Sequence, residues 1–470
     1  MTIEYKNKPF GPEREFKFMI KEYILPLLGI KNNNLLKCND EIHNNNKQII
    51  SFYKDFIYFF PYKNSNNGYK LEVTYKYNNI DFTLVIKVLE SLIKISLNKL
   101  GRSTKAQNYT TFMHCVKNYE YAVQDAICSY LMPENDHHNL NMLLKDLEEW
   151  STKTYEGKKV PFGFLINLKE IKNDSFDYVN IINEEFSATI TDGITSIVEL
   201  DIYGNFIGYN SVIDKNIIEG CTLINCLPIR FAQIISKHVL ENKIGVFLLS
   251  NGDIIIAKNQ TIELVKRNGK WSNFNFRSFL NAMSLYETTS KIDDNLLKEV
   301  FSTSLDVSFA HSGGIIAIVD KWEDLKNVHN ESILSPADNL RNGMDDFNLT
   351  KEMPNEKDYN IKKRLKKRQF LMRLTSENNS ETSKQYSANF CNLDRRLRAE
   401  LVGLDGATII NKFGDIIAFG AIIENEKGSS GGGRGAAAKK LSNFKGLAIK
   451  ISTDGYIEVY INGEVKYFIK

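Results

Sequence analysis

The residues best equipped for chemistry lie in two stretches near the end of the chain, "LDGATII" (404–410) and "SSGGGRGAAAKKLS" (429–442). Asp405 stands at the mouth of an apolar run that reads as a buried strand. A carboxylate in such a place must stay hydrated, hydrogen-bonded or bound to a cation. It is therefore a candidate catalytic group and metal ligand. Gly406 and Ala407 carry almost no bulk and leave room for a ligand to approach the backbone, although a lone Asp-Gly also makes an ordinary turn. In the second stretch Ser429, Ser430, Gly431, Gly432 and Gly433 precede Arg434. Consecutive glycines free backbone amides to face an anion, and the run from Ala436 to Leu441 is a good helix former, so the loop leads into a helix N-terminus. Arg434 can add a charge-assisted bond to a phosphate. No Lys-Ser or Lys-Thr pair ends the glycine run, so this is not a Walker A loop. The plainer reading of the stretch is a flexible Gly/Ser connection.

These residues need elements to hold them. A chain of 470 residues has room for about three domains, and 43% hydrophobic with 11% aromatic content is enough for real cores. The 60 basic and 57 acidic side chains leave a net charge of only +3, which argues against a dedicated nucleic-acid coat. The basic heptad "KKRLKKR" (362–368) lacks interleaved aromatics for base stacking and reads as a solvated helix face. The six cysteines are scattered, and only Cys221 and Cys226 lie close together, without the second pair or histidines that a zinc site needs. Free intracellular thiols are expected. The first residues do not form a signal peptide, and the apolar candidate from Phe82 to Leu100 carries Lys87, Glu90, Lys94 and Lys99, too many charges for a bilayer span. The expected location is cytoplasmic.

Residues 1–150 read as a mainly helical region, interrupted by the strand-like "YKLEVTYKY" (69–77). From 155 onward short β-rich runs alternate with Gly and Asn turns, and an internal repeat emerges. One copy spans 155–275 and the other 296–470, each in the order strand, hairpin, a segment opened by an Arg, and a final hairpin. Gly204 corresponds to Gly414, Arg230 to Arg434, and Gly252 to Gly455. A polar insertion at about 331–390 interrupts the second copy. The fold class expected is α+β: mixed sheets flanked by helices, in two tandem copies, after a mainly helical N-terminal region.

Together "AHSGGIIAIV" (310–319), "LDGATII", "GGGRGAAAKKLS" and "GLAIKISTDGYIEVYINGEV" (446–465) resemble, in order and kind, the diadenylate cyclase family of nucleotidyltransferases known from DNA-integrity-scanning proteins. The resemblance covers about 296–470 and extends more distantly to 155–275. It implies a nucleotide-binding domain in which two subunits face each other, each with one nucleoside triphosphate. A Mg²⁺ or Mn²⁺ ion and the motif Asp then assist attack of a 3′-hydroxyl on an α-phosphate. On that basis Asp405 would bind the metal or activate the hydroxyl, Gly406 and Ala407 would line the nucleotide, and Arg434 would hold phosphate. The chain departs from the family motif at Gly435 and Ala436, which stand where a His and a second Arg belong. In the first copy Thr195, Ser196 and Ile197 replace Asp405, Gly406 and Ala407, so that copy is expected to be silent or a sensor. His311 and Trp271 read as structural residues, as does Trp322.

The function so implied is condensation of NTPs or dNTPs into a di- or oligonucleotide messenger with pyrophosphate release. The alternative is a non-catalytic nucleotide sensor, since inactive relatives of this fold are thought to serve bacterial antiviral defence. The partners to expect are a nucleoside triphosphate or dinucleotide, a second copy of the chain and an operon-encoded effector protein, with neither membrane nor nucleic acid.

Overall fold

The computed structural model describes residues 12–31, 35–38, 50–53, 56–61, 68–72, 82–100, 109–132, 137–154, 157, 159–169, 182, 184, 191–212, 227–274, 279–280, 283, 292–319, 370–371, 389–421, 423, 432–443 and 446–469. The chain is a mixed α+β protein of two compact units. One comprises residues 1–224, 230–275 and 469–470; the other comprises 225–229 and 276–468. Nearly all of the polar insertion at 331–390, with the basic heptad, lies outside the described residues, as do Cys221, Cys226 and Trp322.

The first unit begins with α1 (Pro12–Met19), a π-helical turn (Ile20–Ile24) and α2 (Leu25–Leu27). Strands β1 (Leu36–Cys38), β2 (Ile50–Tyr53), β3 (Phe56–Phe59) and β4 (Gly68–Glu72) follow, forming an antiparallel sheet in the order β1-β4-β3-β2. The sequence suggests only the last of these. The others are short, and their aromatic β-formers lie among Lys and Asn residues that hide the alternation. Helices α3 (Thr83–Leu100), α4 (Tyr109–Leu131) and α5 (His138–Trp150) then bury one apolar stripe each, with Val88, Leu89, Ile127, Leu144 and Leu147 fully enclosed. No helix among the described residues is long and apolar enough to cross a membrane.

Two sheets share one topology. The first unit contains β5 (Phe162–Asn167), β6 (Ser196–Leu200), β7 (Phe206–Ser211), α6 (Ala232–His238), β8 (Lys243–Leu248), β9 (Ile254–Lys258), β10 (Thr261–Arg267) and β11 (Lys270–Asn273). The second contains α7 (Asp294–Phe309), β12 (Gly314–Val319), α8 (Arg395–Val402), β13 (Ala407–Asn411), β14 (Ile416–Ala421), α9 (Gly432–Leu441), β15 (Leu447–Ile451), β16 (Ile457–Ile461) and β17 (Glu464–Ile469). The orders are β11-β10-β9-β8-β5-β6-β7 and β17-β16-β15-β12-β13-β14. In each, the first strand is parallel to the second and antiparallel to the one after the helix.

The correspondence extends to the loops. In one hairpin the N–H of Asp201 donates to Asn205 O at 2.9 Å and Gly204 N–H to Asp201 O at 3.1 Å; Asn411, Asp415 and Gly414 repeat this at 2.9 and 3.0 Å. The hairpins Leu249–Asp253 and Ser452–Tyr456 match in the same way. These loops set Phe162 level with Gly314, and the pairings Phe164 with Val198 and Ile316 with Thr408 then set Thr195, Ser196 and Ile197 level with Asp405, Gly406 and Ala407. Positive-φ residues at Asn259 and Gln260 close the β9–β10 hairpin and those at Asn462 and Gly463 the matching β16–β17 hairpin, as two-residue turns between right-twisted strands require.

Candidate functional site

In the second unit the parallel strands β12 and β13 begin side by side, and a helix delivers the chain to each. Asp293 caps α7 by accepting from Asn295 N–H at 2.9 Å. The helix ends in a Schellman motif: Ser312 N–H donates to Val307 O at 3.2 Å and His311 N–H to Ser308 O at 3.1 Å. Asp394 caps α8 by accepting from Arg396 and Leu397 N–H groups at 2.9 and 3.4 Å. After Val402 the chain passes through Gly403, Leu404, Asp405 and Gly406 into β13.

Two buried ion pairs bolt these helices together. Arg395 Nε donates to Asp306 Oδ2 at 2.6 Å and its Nη2 to Oδ1 at 3.1 Å, while Ile229 N–H adds a 2.8 Å bond to the same carboxylate. One turn along, Arg398 Nη2 lies 2.5 Å from Glu299 Oε2, and its guanidinium lies 5.5 Å from the Phe390 ring centroid. Burial pushes the Asp306 carboxyl above its ordinary value, and the Arg395 charge opposes that rise. Sequence reasoning passed over these four residues. The signal was their spacing, with acids seven apart on α7 and arginines three apart on α8, both near whole numbers of helical turns.

The clamp fixes the two loops at one end of the sheet. A Cβ built on Gly403 would lie 3.6 Å from Ser312 Oγ. Gly406 adopts φ 110° and presses on the backbone of β14, where a Cβ would stand 2.4 Å from Gly420 C. Only glycine fits both constraints. Asp405 is exposed beside it, and Ala407 is buried in the layer between sheet and α9.

Helix α9 begins four residues earlier than the alanine run suggests, taking in Gly432 and Gly433. Gly432 at φ 69° makes the break, and Arg434 falls in the first turn, where backbone amides lack intrahelical acceptors. The guanidinium of Arg434 lies on the backbone at Gly313, just before β12, so that a Cβ there would come within 2.3 Å of Nη1. Asp405–Ala407 and Gly432–Arg434 are thus brought to the same end of one sheet. Ser429, Ser430 and Gly431 lie outside the described residues.

The corresponding end of the first unit is furnished differently. Asp192 is three residues out of register with Asp405 and serves as a turn cap, accepting from the N–H groups of Ile194, Thr195 and Ser196 at 2.8, 2.7 and 3.1 Å. Counted back without a gap from β8 and β15, Phe231 rather than Arg230 falls level with Arg434, and Pro161 level with Gly313. Phe231 is buried against Phe247, with ring centroids 5.5 Å apart. An apolar plug therefore occupies the place of the cation.

No protein-family model matches the chain, and no curated protein does. A solved structure described as the hypothetical membrane spanning protein from Bacillus cereus is similar over 41% of this chain and 75% of that chain, at 16% identity and a TM-score of 0.24.

Proposed function

We propose that the second unit binds the phosphates of a nucleoside triphosphate where β12 and β13 begin, and joins two nucleotides into a di- or oligonucleotide with release of pyrophosphate. The observation supporting this most directly is the seating of Arg434 on Gly313, at the sheet end where Asp405 opens the neighbouring strand. A carboxylate from one chain segment and, from another, a cation set in the first turn of a helix suit a charged ligand better than they suit packing.

Arg434 and the first-turn amides of α9 would hold the polyphosphate, and Gly406 and Ala407 would let the nucleotide approach the backbone. Asp405 would accept the proton of a 3′-hydroxyl as its oxygen bonds to the α-phosphorus of a second nucleotide and the bond to the departing pyrophosphate breaks. Among the described residues no group of three or more His, Cys, Asp or Glu could hold a metal ion. A Mg²⁺ or Mn²⁺ ion arriving with the triphosphate would need only one or two carboxylates from the protein and would complete its shell with phosphate and water. Asp405 is the carboxylate that would hold such an ion, whose chemistry would be to neutralise charge on the phosphates.

The sensor reading is favoured by one feature. Gly435 and Ala436 supply no side chain that could contact phosphate, which leaves Arg434 without helix neighbours for transition-state stabilisation. The two readings separate when the full chain is incubated with each common NTP and dNTP and Mn²⁺, and the products are resolved by chromatography. A nucleotidyltransferase yields pyrophosphate and a larger nucleotide, and Asp405→Asn abolishes both while leaving the melting temperature unchanged. If no nucleotide is consumed and a dinucleotide stabilises the protein, the sensor reading replaces it.

A further inference from the structure

Beneath the opening turn of α9 the sheet carries three polar groups in contact. Lys450 on β15 donates from Nζ to Glu458 Oε2 at 3.1 Å, and the Tyr460 hydroxyl donates to the same oxygen at 2.7 Å. Glu458 and Tyr460 are buried, and Lys450 keeps 18% of its side-chain surface exposed. Alternation along the strands turns all three toward the α9 face, since Lys450 pairs with Glu458, and Tyr460 with Ala448 of that same layer.

The helix above is bare at the matching position. A Cβ on Gly435 would lie 3.7 Å from Tyr460 Oη and 4.0 Å from Lys450 Nζ, so the ammonium sits directly under the first turn. Lys450 also pairs across the sheet with Ile315, two residues beyond the Gly313 on which Arg434 rests. Two cations, one from the helix and one from the sheet, therefore flank the N-terminus of α9.

We propose that Lys450 is the second phosphate-binding cation of this site, reaching from the sheet to the place that side chains at 435 and 436 leave empty. Glu458 and Tyr460 are its positioning residues: they hold the ammonium under the helix until a polyphosphate replaces Glu458 as its partner. The inference rests on the phosphate-binding reading above and deepens it. It also explains why a glycine at 435 is compatible with function, because a large side chain there would separate Lys450 from the helix amides.

The test uses the full-length chain and two probes that do not require the base to be known, inorganic tripolyphosphate and an equimolar NTP mixture, with affinities read by calorimetry at several salt concentrations. Lys450→Met is expected to weaken tripolyphosphate binding at least tenfold and to flatten its salt dependence. Lys450→Arg should retain most of the affinity. Glu458→Gln, which keeps the cation but removes its counter-charge, should tighten binding. If wild type binds tripolyphosphate and Lys450→Met binds it equally well, Lys450 is only a cross-strand ion pair and the inference is overturned. Should Lys450→Met fail to fold, Glu458→Gln decides, since weaker binding in that variant overturns the inference as well. Wild-type protein that binds neither probe overturns the phosphate-binding reading itself, and the role of Lys450 with it.

Discussion

The guanidinium of Arg434 lies across the backbone of Gly313, and a Cβ at 313 would stand 2.3 Å from Nη1 and 2.6 Å from Cζ. A side chain at 313 would take the space that the guanidinium now fills. Gly313→Ala must swing the guanidinium away. We expect about a tenfold loss of triphosphate affinity, roughly 1.4 kcal/mol, measured by calorimetry, with little change in melting temperature.

His311 has φ 50° at the position after α7 that normally belongs to glycine. Left-handed backbone costs a residue with a Cβ about 1–2 kcal/mol. His311→Ala removes the imidazole and keeps that strain, whereas His311→Gly removes both. The Gly variant should therefore be more stable than the Ala variant by about 1 kcal/mol in chemical denaturation. Equal stability would show that the loop relaxes.

Removing one partner of the clamp between α7 and α8 leaves a buried charge. Arg395→Met strands Asp306, and the expected cost is about 3–5 kcal/mol by denaturant unfolding. The double variant Arg395→Met with Asp306→Leu should recover a good part of that loss, because neither charge then remains.

In the first unit Glu199 accepts from Asn167 and Asn210, each at 2.9 Å, and pairs with Lys243 at 2.7 Å. Burial works to raise its carboxyl, but these three donors together outweigh it and hold the group below its ordinary value of 4.5. A depressed folded value contributes stability above the unfolded value and loses it as pH falls through the folded one. Melting temperature should thus decline as pH drops below about 4.5, and the decline should be shallower in Glu199→Gln.

Much of the architecture was legible because it rests on local chemistry. Asn-Gly and Asn-Gln turns, apolar runs between them and Gly204, Gly252, Gly414 and Gly455 mark the hairpins of both copies, and the Thr195–Ile197 correspondence with Asp405–Ala407 follows from counting residues. What sequence could not convey is contact between distant segments. Nothing near Gly313 announces that an arginine 121 positions later will lie on it, and that Gly435 comes to rest over Lys450 and Tyr460 depends on how the helix packs on the sheet. The start of α9 was misjudged because glycine is a poor helix former, yet at 432 its left-handed backbone begins the helix. Strands β1, β2 and β3 were missed because three or four residues are too few to establish a period.

The common strand order of the two sheets has one more implication. Which strand lies beside which is decided by loops and crossovers, far from the few positions that line the mouth. Where the second unit carries an acid and a cation the first carries a threonine and a phenylalanine, and the strands that the two sheets share keep the same neighbours. The side chains proposed for recognition and the scaffold are therefore separable, and engineers who transplant four or five of them from one half onto the other should find the recipient frame already waiting.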